Sequence, residues 1–114
     1  MEIAQLEKEL MEKARWLTVK LGEQKGLVVA YADAERDYRV ELAKKETELR
    51  LDKVQATLIP DLAKGDSVVA NLKRDRDIAK GVKDACILSI RSMQATMSGI
   101  QSLISTKKEE MKLV

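Results

Sequence analysis

Apolar residues recur three and four positions apart along most of this chain. Ile3, Leu6, Leu10, Ala14, Leu17 and Leu21 form one stripe, which resumes with Leu27, Val28, Tyr31, Ala34, Tyr38, Leu42 and Leu49 and reaches Ala56. This is the 3.6-residue period of an amphipathic helix. Glu and Lys fill the opposite face, with favourable i,i+4 pairs such as Glu9 with Lys13 and Glu41 with Lys45. The spacing returns in Val68, Leu72, Ala79, Val82, Cys86, Ile90, Met93, Met97, Ile100 and Ile104, and Met111 extends it. No stretch alternates with period two, so no strand is predicted.

Between the two stripes lies TLIPDLAKGDSV, which holds the only proline. Pro60 is expected to push Ile59 out of helical geometry, and Gly65 suits a positive φ. Asp66 or Ser67 can cap the first free amides of the second helix. The pattern therefore predicts helices over residues 2–58 and 67–111, joined by a turn over residues 59–66. A connection of about eight residues is ordinary between two helices. Gly22 and Gly26 each disfavour a helix interior by about 1 kcal/mol relative to Ala. They could mark a kink or a break, but the stripe stays roughly in phase across them, which favours a continuous or gently kinked first helix. The expected fold is all-α, one domain forming a long antiparallel helical hairpin, a coiled coil that assembles into a four-helix bundle. Assembly is expected because two helices alone leave part of their apolar faces uncovered. The broadest face lies near Ile87, Leu88, Ile90, Met93, Met97 and Leu103, which are the predicted interface residues.

Composition narrows the chemistry. The chain has 114 residues, of which 35% are charged, yet 21 basic side chains nearly balance 19 acidic ones. A net charge of +2 does not announce nucleic acid or an anionic membrane. Aromatic residues are only 3%, so the core must be built from aliphatic side chains and methionine. No apolar run approaches the roughly 20 residues of a spanning helix. The opening MEIAQLEKELMEK mixes acid and base and does not read as a signal peptide. A soluble cytoplasmic protein with no membrane partner is the expectation.

Histidine is absent and Cys86 is the only cysteine, which removes imidazole catalysis, internal disulfides and multi-cysteine zinc sites. Lys64-Gly65-Asp66-Ser67 is not a phosphate loop, which needs G-x-x-x-x-G-K-[ST] after a strand. Nor does it carry the alternating acids of a calcium loop. A di-iron bundle would use Glu-x-x-His pairs, and these cannot occur. Glu35, Asp52 and Asp75 lie on or near the stripes and are read as polar seam positions paired with Lys45 or Arg74. Cys86 is read as a small core hydrophobe and the methionines as core filler. No catalytic residue, cofactor or metal is expected, and the chain is read as not an enzyme.

The most basic stretch, NLKRDRDIAKGVK, offers Lys73, Arg74, Arg76, Lys80 and Lys83 as nucleic-acid contacts. Interleaved Asp75, Asp77 and Asp84 and the lack of an aromatic platform favour a solvated face instead. Helical hairpins of the secreted WXG type carry Trp-x-Gly in the turn, which this turn lacks, and prefoldin-type chaperones carry β-hairpins at the joint. The run ELRLDKVQATLIPDLAKGDSVVANLKRDRDIAKG resembles small helical proteins encoded by phages and prophages of Gram-positive bacteria. The resemblance implies a phage or prophage origin and the host cytoplasm, and transfers no site residues. The expected function is a structural or interaction protein that self-associates as dimer or tetramer, or scaffolds a heterologous protein. The alternative is a nucleic-acid-associated accessory factor of phage replication or recombination.

Overall fold

A computed structural model of the chain describes residues 2–113. In order along the chain, helix α1 spans Ile3–Leu51, a short α2 spans Ile59–Gly65 and α3 spans Ser67–Lys112. Among the described residues there is no strand. The fold is the all-α helical hairpin that the apolar period predicts.

The chain packs as two units. One comprises Met1–Lys25 with Asp84–Val114, the other Gly26–Lys83. In the first unit α1 and α3 run antiparallel, with Glu7 Oε1 3.7 Å from Lys108 Nζ and the Cys86 thiol donating to the Lys20 carbonyl over 3.8 Å. Leu6, Cys86, Ile90 and Ile104 are buried there. In the second unit the same antiparallel sense is marked by Lys83 over the Tyr31 ring, Arg76 beside Glu35 and Lys45 near Asp66. Its buried residues are Tyr38, Ile59, Ala63 and Val69.

Along α3 the buried and half-buried positions alternate by three and four. They run Val69, Leu72, Arg76, Ala79 and Lys83 in the second unit, then Cys86, Ile90, Met93, Met97, Ile100, Ile104 and Lys107 in the first. This is a heptad seam. It corrects the expected stripe, because Val68 and Val82 are exposed while Arg76 and Lys83 take seam positions. Long basic side chains can do this because their methylenes cover apolar surface while the charged head reaches outward. In α1, Leu21 and Val28 are likewise exposed, and Lys13, Lys20 and Gln24 are half-buried in their place. Helix α1 continues unbroken through Gly22 and Gly26.

The turn lies earlier than expected. Helix α1 stops at Leu51, not at residue 58, and residues 59–66 are mostly the helix α2. The stop is a Schellman arrangement: Lys53 N–H donates to Arg50 O at 3.0 Å and Val54 N–H to Leu49 O at 3.1 Å. It places Lys53 at φ 59°, a left-handed conformation that glycine adopts more readily. Gly65 has no positive φ. Pro60 sits in the first turn of α2, where its missing N–H is not needed, and Ile59 is helical beside it. Burial of Ile59 and Ala63, four apart, faces α2 inward.

Candidate association surface

Asp66 connects α2 to α3. Its backbone is extended, at φ −60° and ψ 135°, and its Oδ2 accepts from Val68 N–H at 3.1 Å and Val69 N–H at 3.2 Å. That is a side-chain N-cap, and it occupies the amides an incoming phosphate would need. Lys64-Gly65-Asp66-Ser67 is therefore a helix end followed by a cap. Among the described residues no group of three metal-ligating side chains comes together.

The three seam carboxylates separate. Asp52 lies exposed in the turn, and Asp75 is exposed with Arg74 at 3.8 Å. Glu35 is the one that packs, but its partners are Arg39 and Arg76 rather than Lys45 or Arg74. Arg39 Nε donates to Glu35 Oε1 at 2.6 Å, and Arg76 Nη1 stands 3.3 Å from Oε2, a buried oxygen that accepts no hydrogen bond. Arg76 also lies 4.6 Å from the centre of the Tyr38 ring and donates through Nε and Nη2 to Asp77. The Arg39 hydrogen bond, followed by the charge of Arg76, holds the Glu35 carboxyl below its ordinary value against the opposing effect of burial. Lys45 instead reaches Glu48 and Asp66, at 3.6 and 3.7 Å. The signal for Arg76 was its heptad position, hidden because an arginine does not count as apolar. Cys86 is buried and free, as a core residue should be.

The basic residues do not form a common free patch. Lys73, Arg76, Lys80 and Lys83 follow a 3-4-3 spacing and share one side of α3, whereas Arg74 projects elsewhere. Arg76 and Lys83 are half-buried beside Tyr38 and Tyr31, with the Lys83 ammonium 4.6 Å from its ring centre. Lys73 is 3.4 Å from Asp77. A shallow, open groove is lined by Lys64, Lys73, Arg74 and Asp77, and Lys73 there is paired with the acid of its own helix.

The predicted interface residues divide into two sets. Ile90 is buried and Met93 and Met97 are half-buried, all three at seam positions, so they close the hairpin itself. Ile87 is half-buried at the flank of the seam. Leu88 and Leu103 point outward, 67% and 44% exposed, too far open to be covered by α1. They belong to a larger set of uncovered apolar side chains that includes Met11, Val19 and Leu21 in the same unit. Among the described residues no helix is long and apolar enough to cross a membrane. Comparison with protein-family models, curated proteins and solved structures finds no match to this chain.

Proposed function

We propose that this chain is a non-enzymatic structural protein whose work is association: a coiled-coil hairpin that pairs with copies of itself to complete a four-helix bundle. One observation carries the reading. Among the described residues the hairpin exposes more large apolar side chains than it buries, with Leu88 and Leu103 outward on the helix that supplies most of the core of the first unit. Extensive apolar exposure on a small folded chain favours association, and a symmetric dimer of hairpins is the simplest cover. The resemblance of residues 48–81 to small phage and prophage proteins adds that origin, and with it the host cytoplasm, to the reading.

Light scattering across a range of concentrations tests it. A mass of two or four chains supports the bundle, and a folded monomer at every concentration overturns it and leaves a heterologous protein as the occupant. The nucleic-acid alternative draws less from the geometry, because Arg76 and Lys83 sit over tyrosine rings and Lys73 beside Asp77. Salt-dependent DNA binding that vanishes when Lys73, Arg74 and Arg76 are changed to Glu would restore it.

A further inference from the structure

Charge is distributed very unevenly along α3. From Ala85 to Thr106 the only charged residue is Arg91, in a chain of which 35% is charged. The seam accounts for part of this, since Cys86, Ile90, Met93, Met97, Ile100 and Ile104 are buried or half-buried. The outer positions are the unexpected ones. Ala85, Ser89, Ser92, Thr96, Gly99 and Leu103 recur by three and four about a quarter-turn from the seam, and all but the half-buried Ser89 are exposed. Leu88 flanks this face and is more exposed than Leu103. Arg91 lies on the other side of the helix.

Three of the hydroxyls on and beside this face are bonded within their own helix. Ser89 Oγ donates to Cys86 O at 2.8 Å, Thr96 Oγ1 to Ser92 O at 3.1 Å and Thr106 Oγ1 to Ser102 O at 3.0 Å. A hydroxyl bonded to its own helix can be buried without leaving an unmet donor. These three can therefore leave water without that cost, although nothing in the hairpin covers the face.

Its occupant follows from charge. A surface carrying Lys, Arg, Asp or Glu would be stripped of hydration against this face and find no counter-charge there. In the same unit the outer positions of α1 carry Glu7, Lys8, Glu12, Arg15, Glu23 and Lys25. The surface of this unit that matches the charge-free face of α3 is that face itself. We infer that a second copy of the chain packs on it, α3 against α3, antiparallel about a twofold axis between Ala95 and Thr96. This rests on the self-association proposed above and specifies where it occurs.

The register is self-consistent. A twofold at that point sets Ser92 opposite Gly99 of the second copy, Leu88 opposite Leu103 and Ala85 opposite Thr106. Small residues meet at the crossing point, where two inclined helices approach most closely, and leucines meet toward the ends, where the axes diverge. No heavy atom lies within 4 Å of where a Cβ on Gly99 would stand, so that position is open to substitution within the hairpin.

The test uses the full chain and three variants, Ser92→Arg, Gly99→Glu and the two combined, with sedimentation or light scattering for mass and circular dichroism for helix content. Each single variant should keep the parental helix content and dissociate at concentrations at least tenfold higher than the parent. The double variant should recover the dimer, because each new cation then faces a new carboxylate across the axis. Single variants as dimeric as the parent would overturn this face while leaving self-association standing. Single variants that dissociate without recovery in the double variant would overturn the antiparallel twofold. A monomeric parent would overturn both this inference and the reading beneath it.

Discussion

Gly65 and Lys53 make opposite demands, and exchanging glycine for a side chain at each measures where the turn lies. Gly65 closes α2 without a positive φ, and no heavy atom comes within 4 Å of a Cβ added there. Gly65→Ala should therefore stabilise the fold by about 0.5–1 kcal/mol, through better helix propensity and a less flexible unfolded chain. Lys53 holds φ 59° at the end of α1, where a Cβ is opposed by about 1–2 kcal/mol. Lys53→Gly removes that opposition but loosens the unfolded chain, for a net gain of roughly 0.5–1 kcal/mol. Each change should raise the midpoint of thermal unfolding by about 2–5 °C for a domain of this size, followed at 222 nm and checked by urea titration. The two sites share no partner, so their effects should add. If Gly65 instead provided a left-handed turn, as the sequence alone suggests, Gly65→Ala would destabilise by about 1–2 kcal/mol. That sign would refute the placement of the chain reversal between residues 52 and 58. Measurements belong at one fixed protein concentration, since association contributes to apparent stability.

Three further outcomes follow from the same structure. Asp66→Ala removes both cap bonds to Val68 and Val69 and should lower stability by about 1–2 kcal/mol, whereas Asp66→Asn should retain most of it; equal losses in urea titrations would deny the cap its role. Ile90→Ala in the first unit should lose about 2–3 kcal/mol, while truncating the exposed Val29 should change the urea midpoint little. Glu35 has its folded pKa held below the ordinary 4.5, so its contribution is complete above that pH and is lost as pH falls through the lower folded value. The stability gap between the parent chain and Glu35→Gln should accordingly narrow in acid, and a gap constant from neutral pH down to about pH 3 would contradict the Arg39 and Arg76 contacts.

Much of the architecture was legible in the order of residues. Repeated spacing of three and four, interrupted once, requires two long helices, because no other regular structure brings those positions to one face. The absence of histidine and the solitary Cys86 likewise exclude whole classes of chemistry before any packing is known. Asp66 was recognisable as one of two caps, since a carboxylate before an apolar run can reach free amides.

The three-dimensional packing decided matters that spacing leaves open. Proline and glycine are strong punctuation in a sequence, yet Pro60 and Gly65 both belong to a helix, and the reversal falls at Asp52 and Lys53, which carry no such mark. A helix tolerates proline in its first turn because that amide has no partner to lose, and only the position of the preceding helix end shows that a first turn is there. The seam depended on packing as well. Arg76 and Lys83 count as solvent-facing until a tyrosine on the opposing helix receives each cation, and Val82 counts as core until the three-four register carries it outward. Polarity assigns a residue a preference for one environment. The register between two helices assigns the environment itself, because contact is set by which side chains meet across the seam and not by neighbours along one chain.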